Sequence, residues 1–264
     1  MKPNFVGPDP RGMTNTHPAV VAAARESFLR LGAAEVIVGE GPALDRDTEA
    51  ILESIHLRDH LGPLSTSFVD LNTDDVSKVP LRTRASSLRG LYLPNSVMRA
   101  DFVVSMPKLK THHWSGVTLS LKNMFGIVPG SCYGWPKNVL HWAGITRSLL
   151  DINSTVRPQF AIVDGIVGME GNGPIQGDPR PCGVLVLGDD PVAVDATCAR
   201  IMNLSPERIE HIAQASVLLG HMKEDKIKQL GETIAAVCTS FKILDRFRRL
   251  RPVSGGQLWS PNCL

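Results

Sequence analysis

Residues 101–130, DFVVSMPKLKTHHWSGVTLSLKNMFGIVPG, decide how this chain reads. Phe102, Val103 and Val104 form a short β-favouring run, and Pro107 ends it because a proline cannot donate to a sheet ladder. Lys108 and Lys110 follow two residues apart. On an extended backbone both ammonium groups leave the same side, roughly 7 Å apart along the chain. Like charges so placed repel unless an anion lies between them. Thr111, His112, His113 and Ser115 fill a turn, and the spacing of Val117, Leu121 and Met124 then predicts a helix over 116–125 with Ser115, Thr118 and Lys122 on its other face. A strand stopped by proline and a helix begun by glycine would also leave free backbone N–H groups for an anion. Lys108, Lys110 and Lys122, with the adjacent Asn123, are therefore the expected anion-binding set.

Working outward, the chain has an α/β rhythm. Helices are expected over 16–31, 47–61, 95–100 and 138–152, then after Asp190-Pro191 and after Ser205-Pro206, where an N-capping side chain precedes a proline. Short apolar strands are expected over 34–41, 67–71, 102–104, 160–163 and 183–187, with a last one at IAAVC (residues 234–238) and a hairpin or surface excursion over 79–92. The predicted fold class is α/β: a parallel or mixed sheet with helices on both faces, in three layers. Residues 1–240 read as one such domain and 241–264 as a basic C-terminal tail, frayed or partner-dependent at DRFRRLRPVSGG. In sheets of this kind ligands bind beyond the carboxyl ends of the strands. Glu40, the 108–113 segment and Asp164 all follow predicted strands, so they are expected to converge on one cleft. The aromatic segment SCYGWPK, residues 131–137, could lie over it.

The second informative stretch runs from Asp164 to Asp178, with glycines at 165, 168, 171, 173 and 177. It lacks the Gly-Lys-Ser/Thr of a phosphate-binding P-loop and opens no clear helix, so it is neither that loop nor a dinucleotide fingerprint. Its glycines free the backbone to approach a ligand or form an anion nest. Gly171, Asn172 and Gly173 are therefore assigned to substrate binding, and His112, Asp164 and Glu170 to moving protons. No metal site is assigned: beyond His112 or His113, only Glu40, His17 and Asp164 are conceivable ligands. Asp195, just inside a helix start, reads as a residue that favours the positive end of that helix.

Composition sets the bounds. The 264 residues carry 28 Lys plus Arg against 26 Asp plus Glu, a net charge of +2, so there is no general electrostatic reason to bind nucleic acid or an acidic membrane. Five cysteines, none spaced as CxxC, write neither a disulfide framework nor a cluster site. With no apolar leader at MKPNFVGPDPRG and no long apolar run, a cytoplasmic protein is expected, with no nucleic-acid and no membrane partner. The residues name no cofactor, which stays unknown.

The sequence resembles the uncharacterised family known as domain of unknown function 362. The resemblance is carried by KPNFV (2–6), THP (16–18), GEG (39–41), MPKLKTH (106–112), TLSLKNMFG (118–126), VDGIVGMEGNGP (163–174) and DDPVAVDA (189–196). It implies no agreed reaction. Many relatives are joined to, or neighbours of, ferredoxin-type iron-sulfur modules, which implies redox metabolism with a ferredoxin-like partner as the rival to an anion-handling enzyme or a non-catalytic ligand-binding protein. This chain lacks the cysteine clusters of such modules. Relatives also usually have a further helix and a complete strand before the KPN segment, so the chain reads as starting abruptly.

Overall fold

The computed structural model describes residues 1–42, 45–62, 68–134 and 137–253. Ser67, Trp135, Pro136 and Cys263, each part of an expectation above, lie outside them. Helix α1 (Pro18–Arg30) begins where proline presets the first turn and the His17 ring accepts the Ala19 N–H. Strand β1 (Val38–Glu40) follows, then α2 (Thr48–Ser54), α3 (Leu57–Leu61) and β2 (Phe68–Asp70). The single helix expected over 47–61 is broken because His56 adopts a left-handed conformation, φ 55°. Strands β3 (Val76–Val79) and β4 (Leu91–Pro94) pair antiparallel, and α4 (Asn95–Arg99) leads into the deciding stretch.

There the structure corrects the expectation. Strand β5 (Val104–Ser105) pauses at Met106-Pro107, resumes as β6 (Lys108–His112) and turns back as β7 (Gly116–Thr118), which pairs antiparallel with β6. Only afterwards comes a short helix, α5 (Ser120–Asn123), and a 3-10 turn over Met124–Ile127. Val117 and Leu119 are both buried in the core, a period-two pattern that competes with the helical one. Pairing with β6 decides between them, and Gly116, at φ 82°, starts the return. No helix begins at Gly116, so the free N–H groups expected there are absent.

Helices α6 (Gly130–Tyr133), α7 (Asn138–Trp142) and α8 (Ile145–Val156) come next, with Gly144 at φ 91° dividing the helix expected over 138–152. Strands β8 (Phe160–Asn172) and β9 (Gln176–Gly188) then form a long antiparallel pair. The glycine-rich run is therefore sheet, not loop. Its small residues let strands approach: a Cβ on Gly168 would stand 2.7 Å from the Leu109 carbonyl oxygen. Helices α9 (Pro191–Ile201), capped by Asp190, α10 (Glu210–Leu218) and α11 (Ile234–Val237) complete the order. The segment IAAVC is thus helical rather than a last strand.

In the main sheet β8 is central, parallel to β5 and β6 and antiparallel to β9. Strands β1 and β2 form a parallel pair, and Met1–Lys2 link it to the main sheet: Gly39 N–H donates to Met1 and Lys2 N–H to Val104. Val104, Met106 and Ile162 face α1 and α2 on one side, while Leu109, Ala161 and Val163 face α9 and α10 on the other. The mixed sheet is therefore covered on both faces, the α/β architecture expected. A third cluster joins β4, α8 and Phe125. Phe241 and Leu250 are buried in the largest core, so the fraying expected from residue 245 does not hold through the 3-10 turn Asp245–Leu250. Cys132, Cys182 and Cys198 are free thiols, but Cys238 is disulfide-bonded, which the cysteine spacing did not indicate.

Candidate functional site

Along β5 and β6 one side of the strand changes character. Val104 and Met106 pack on α1, whereas Lys108, Lys110 and His112 continue the same alternation beyond the start of that helix. All three are buried. Lys108 Nζ donates to Asp164 at 2.9 Å, and the same carboxylate accepts the His17 N–H at 2.8 Å and the Ile166 N–H at 3.1 Å. Among the described residues Lys110 bonds only to carbonyls, Thr14 at 2.8 Å and Pro174 at 3.4 Å.

Lys2 enters beside β5 and has all three ammonium donors engaged, with Pro3 O, Glu40 and Asn123 Oδ1. Glu40, at the carboxyl end of β1, also accepts the Phe5 and Gly41 N–H groups. Asn123 donates to Lys2 O and Ser105 Oγ, so its side chain is spent inside the protein. Gly126 makes room for this pair, since a Cβ there would lie 2.6 Å from Lys2 Nζ.

Lys122 and Lys137 complete the cluster. Lys122 is partly exposed and makes no hydrogen bond or ion pair with a described residue; its ammonium lies 4.6 Å from the Phe125 ring centre. Lys137, buried and held at φ 63°, donates to Phe125 O at 3.2 Å and approaches Gly126 O at 3.5 Å. Burial, with repulsion from the other lysines, lowers Lys110 to about 7, Lys122 to about 8 and Lys137 to about 7. Asp9 acts the other way on Lys110 and Glu40 on Lys137. Asp195 supports Lys122 indirectly: its buried carboxylate accepts the Ser120 and Leu121 N–H groups and so caps α5 from α9. Burial raises its pKa to about 8 against those two donors. Its role is thus outside its own helix.

His112 Nδ1 accepts the Trp114 N–H at 3.0 Å and the Ser115 N–H at 3.3 Å. Those donors leave the ring proton on Nε2 and occupy the lone pair that a general base would use. Desolvation, followed by Lys122, drives its pKa far down. His112 is arranged as a neutral donor. His113 stacks on it at 4.9 Å, and its backbone N–H donates to Gly173 O.

The residues of the glycine run divide differently. Asp164 joins the lysines, but Glu170 lies with Lys242 and Arg180: it accepts the Lys242 N–H at 2.9 Å and stands 4.0 Å from Arg180 Nε. The Gly171 N–H is taken by Lys242 O, and the exposed Asn172 amide donates to Gln176. Gly173 abuts Thr111, where a Cβ would come within 2.1 Å of the carbonyl oxygen. An anion nest at 171–173 is therefore replaced by a β-hairpin end, and Glu170 is not beside His112 and Asp164. The conceivable metal ligands are also committed, Glu40 to Lys2, Asp164 to Lys108 and the His17 ring to the start of α1. Among the described residues no three His, Cys, Asp or Glu side chains are grouped to hold a metal ion.

Lys2 and Lys137 escaped sequence reasoning. The KPN segment held a signal for Lys2, because a strand-like run opening a chain must pair somewhere. Lys137 had none, since it owes its position to a left-handed backbone.

The family described as a domain of unknown function, DUF362, matches residues 1–200. The chain belongs to that family. All five lysines and both paired carboxylates fall within the DUF362 span. The chain is also similar to a curated relative, the thylakoid-associated protein sll1697 of Synechocystis sp., at 31% identity over 219 residues. That alignment covers 81% of this chain and 65% of the relative, so the chain spans less than two thirds of the relative's length. Among the described residues of this DUF362 chain, no helix is long and apolar enough to cross a membrane.

Proposed function

We propose that this DUF362 chain binds a small anionic ligand, a phosphate or carboxylate compound, among the lysines gathered where β5 gives way to β6, beside Glu40 at the end of β1. One observation carries the reading: Lys110 and Lys137 are each repelled by Lys122, and among the described residues no carboxylate is bonded to any of the three. An unpaired charge taken out of water is strongly unfavourable, and a bound anion relieves it for all three at once. Two of these ammonium groups titrate near neutrality, a property that suits proton transfer to or from a bound substrate. An enzymatic role thus falls to the lysines, with His112 as a donor and Asp164 fixing Lys108. A ferredoxin-like partner has the family resemblance alone behind it. The lysine cluster suits a cytoplasmic chain and one associated with thylakoids, as the relative is named, and cell fractionation separates the two.

The test is calorimetric titration with phosphate, sulfate and citrate, with native mass spectrometry of the purified chain for a retained anion. At least one anion should bind the parent chain, and Lys110→Met and Lys137→Met should each lose it while keeping a cooperative thermal transition. Unchanged affinity in both variants would overturn the reading.

A further inference from the structure

The cluster contains more than ammonium groups. Lys110 pairs with Thr118 across β6 and β7, so Thr118 lies on the lysine face, and Ser120 follows it two residues on. The hydroxyls of Thr118 and Ser120 are buried and have no hydrogen-bond partner among the described residues. Both residues are more than nine-tenths buried. A buried hydroxyl without a partner is unfavourable, and Thr118 carries that cost opposite Lys110 while Ser120 carries it at the start of the helix that bears Lys122. His112 adds an Nε2–H that donates to no described residue. The set is rich in donors: three ammonium groups, two hydroxyls and one imidazole. A carboxylate offers two oxygens and one charge; a phosphoryl dianion offers three terminal oxygens and two charges.

A row of rings leads from this donor set to the surface. Phe125, beneath Lys122, meets the His141 ring edge-on at 5.4 Å, and His141 meets Trp114 at 4.8 Å. Burial lowers the His141 pKa, which favours the neutral ring. Trp114 is 54% exposed, and its ring contacts are edge contacts with His113 and His141. An indole so presented is a platform for a flat ligand ring.

Resting on the anion reading above, we infer that the ligand is a phosphomonoester of a planar aromatic group, with its phosphoryl oxygens on Lys110, Lys122, Lys137, Thr118 and Ser120 and its ring on Trp114. The test compares inorganic phosphate, phenyl phosphate, adenosine 5′-monophosphate and benzoate by calorimetry on the parent chain and on Trp114→Ala. Trp114 is exposed enough for its removal to leave the fold intact, as circular dichroism would verify. Inorganic phosphate should bind, and one of the aromatic phosphates should bind about tenfold more tightly. That gain should vanish in Trp114→Ala, with inorganic phosphate unaffected. Benzoate binding as tightly as the aromatic phosphates would overturn the phosphoryl assignment. Phosphate binding with no aromatic gain, or a gain that survives Trp114→Ala, would overturn the ring assignment and leave the anion reading standing. If no anion binds, the anion reading itself fails.

Discussion

Lys2, Lys108, Lys110 and Lys137 are all almost entirely buried around the junction of β5 and β6. Their partners differ. Lys2 holds Glu40 and Lys108 holds Asp164, each at hydrogen-bond distance, whereas among the described residues the ammonium groups of Lys110 and Lys137 hydrogen-bond to backbone carbonyls and to no carboxylate. Burial therefore does not tell a structural cation from one poised for a ligand. A paired lysine belongs to the fold, and its loss strands a carboxylate. An unpaired one is a strain on the fold, and its loss removes that strain together with the ligand.

The sharpest way to break this distinction is to treat both groups alike. Lys108→Met should destabilise the chain by about 3–5 kcal/mol, because Asp164 is left buried without its counter-charge. The double variant Lys108→Met/Asp164→Asn should regain a large part of that loss in urea unfolding; no recovery would mean that the pair was not the cause. Lys110→Met and Lys137→Met should leave the unfolding midpoint equal or higher, yet weaken anion binding by about 2–3 kcal/mol, roughly 100-fold.

A smaller effect separates the groups by pH. With folded values near 7 against 10.5 for a free lysine, Lys110 and Lys137 bind fewer protons folded than unfolded between those limits. Stability should therefore rise with pH in this window, by at most about 1.4 kcal/mol per unit for each lysine. The rise should be smaller in Lys110→Met. Anion binding near pH 8 should take up protons, visible as a dependence of the calorimetric heat on buffer ionisation enthalpy. The smallest effect is expected at Glu170: Glu170→Gln should change anion affinity by less than about twofold, since Lys242 and Arg180 are its partners. A large loss there would return Glu170 to the site.

Local pattern carried some of this into the sequence. Two lysines two apart on a strand must share a face, so the pairing of Lys108 with Lys110 was legible, and Glu40 ends β1 as expected; Asp164 was expected just beyond a strand and lies inside β8 instead. Asp190-Pro191 marked α9 because cap chemistry is local. The hairpin at β6 and β7 was hidden because Val117 and Leu121 satisfy a helix period with Met124 and a strand period with Leu119. Glu170, Asn172 and the glycines were misplaced for another reason. Glycine serves a tight strand crossing as well as a ligand loop, and only the neighbouring strand, 2.1 Å from a hypothetical Cβ at Gly173, distinguishes them.

The sequence by itself determined the family, the α/β order of elements and the stretch of chain where cationic groups collect, because period, capping and strand alternation act over a few residues. Tertiary structure alone decided which lysines are neutralised. That choice depends on carboxylates 38 and 56 residues away, Glu40 for Lys2 and Asp164 for Lys108, and on the absence of any such partner for Lys110 and Lys137 among the described residues. Charge pairing is a short-range interaction in space with no preferred separation along the chain, so no local pattern could have announced it.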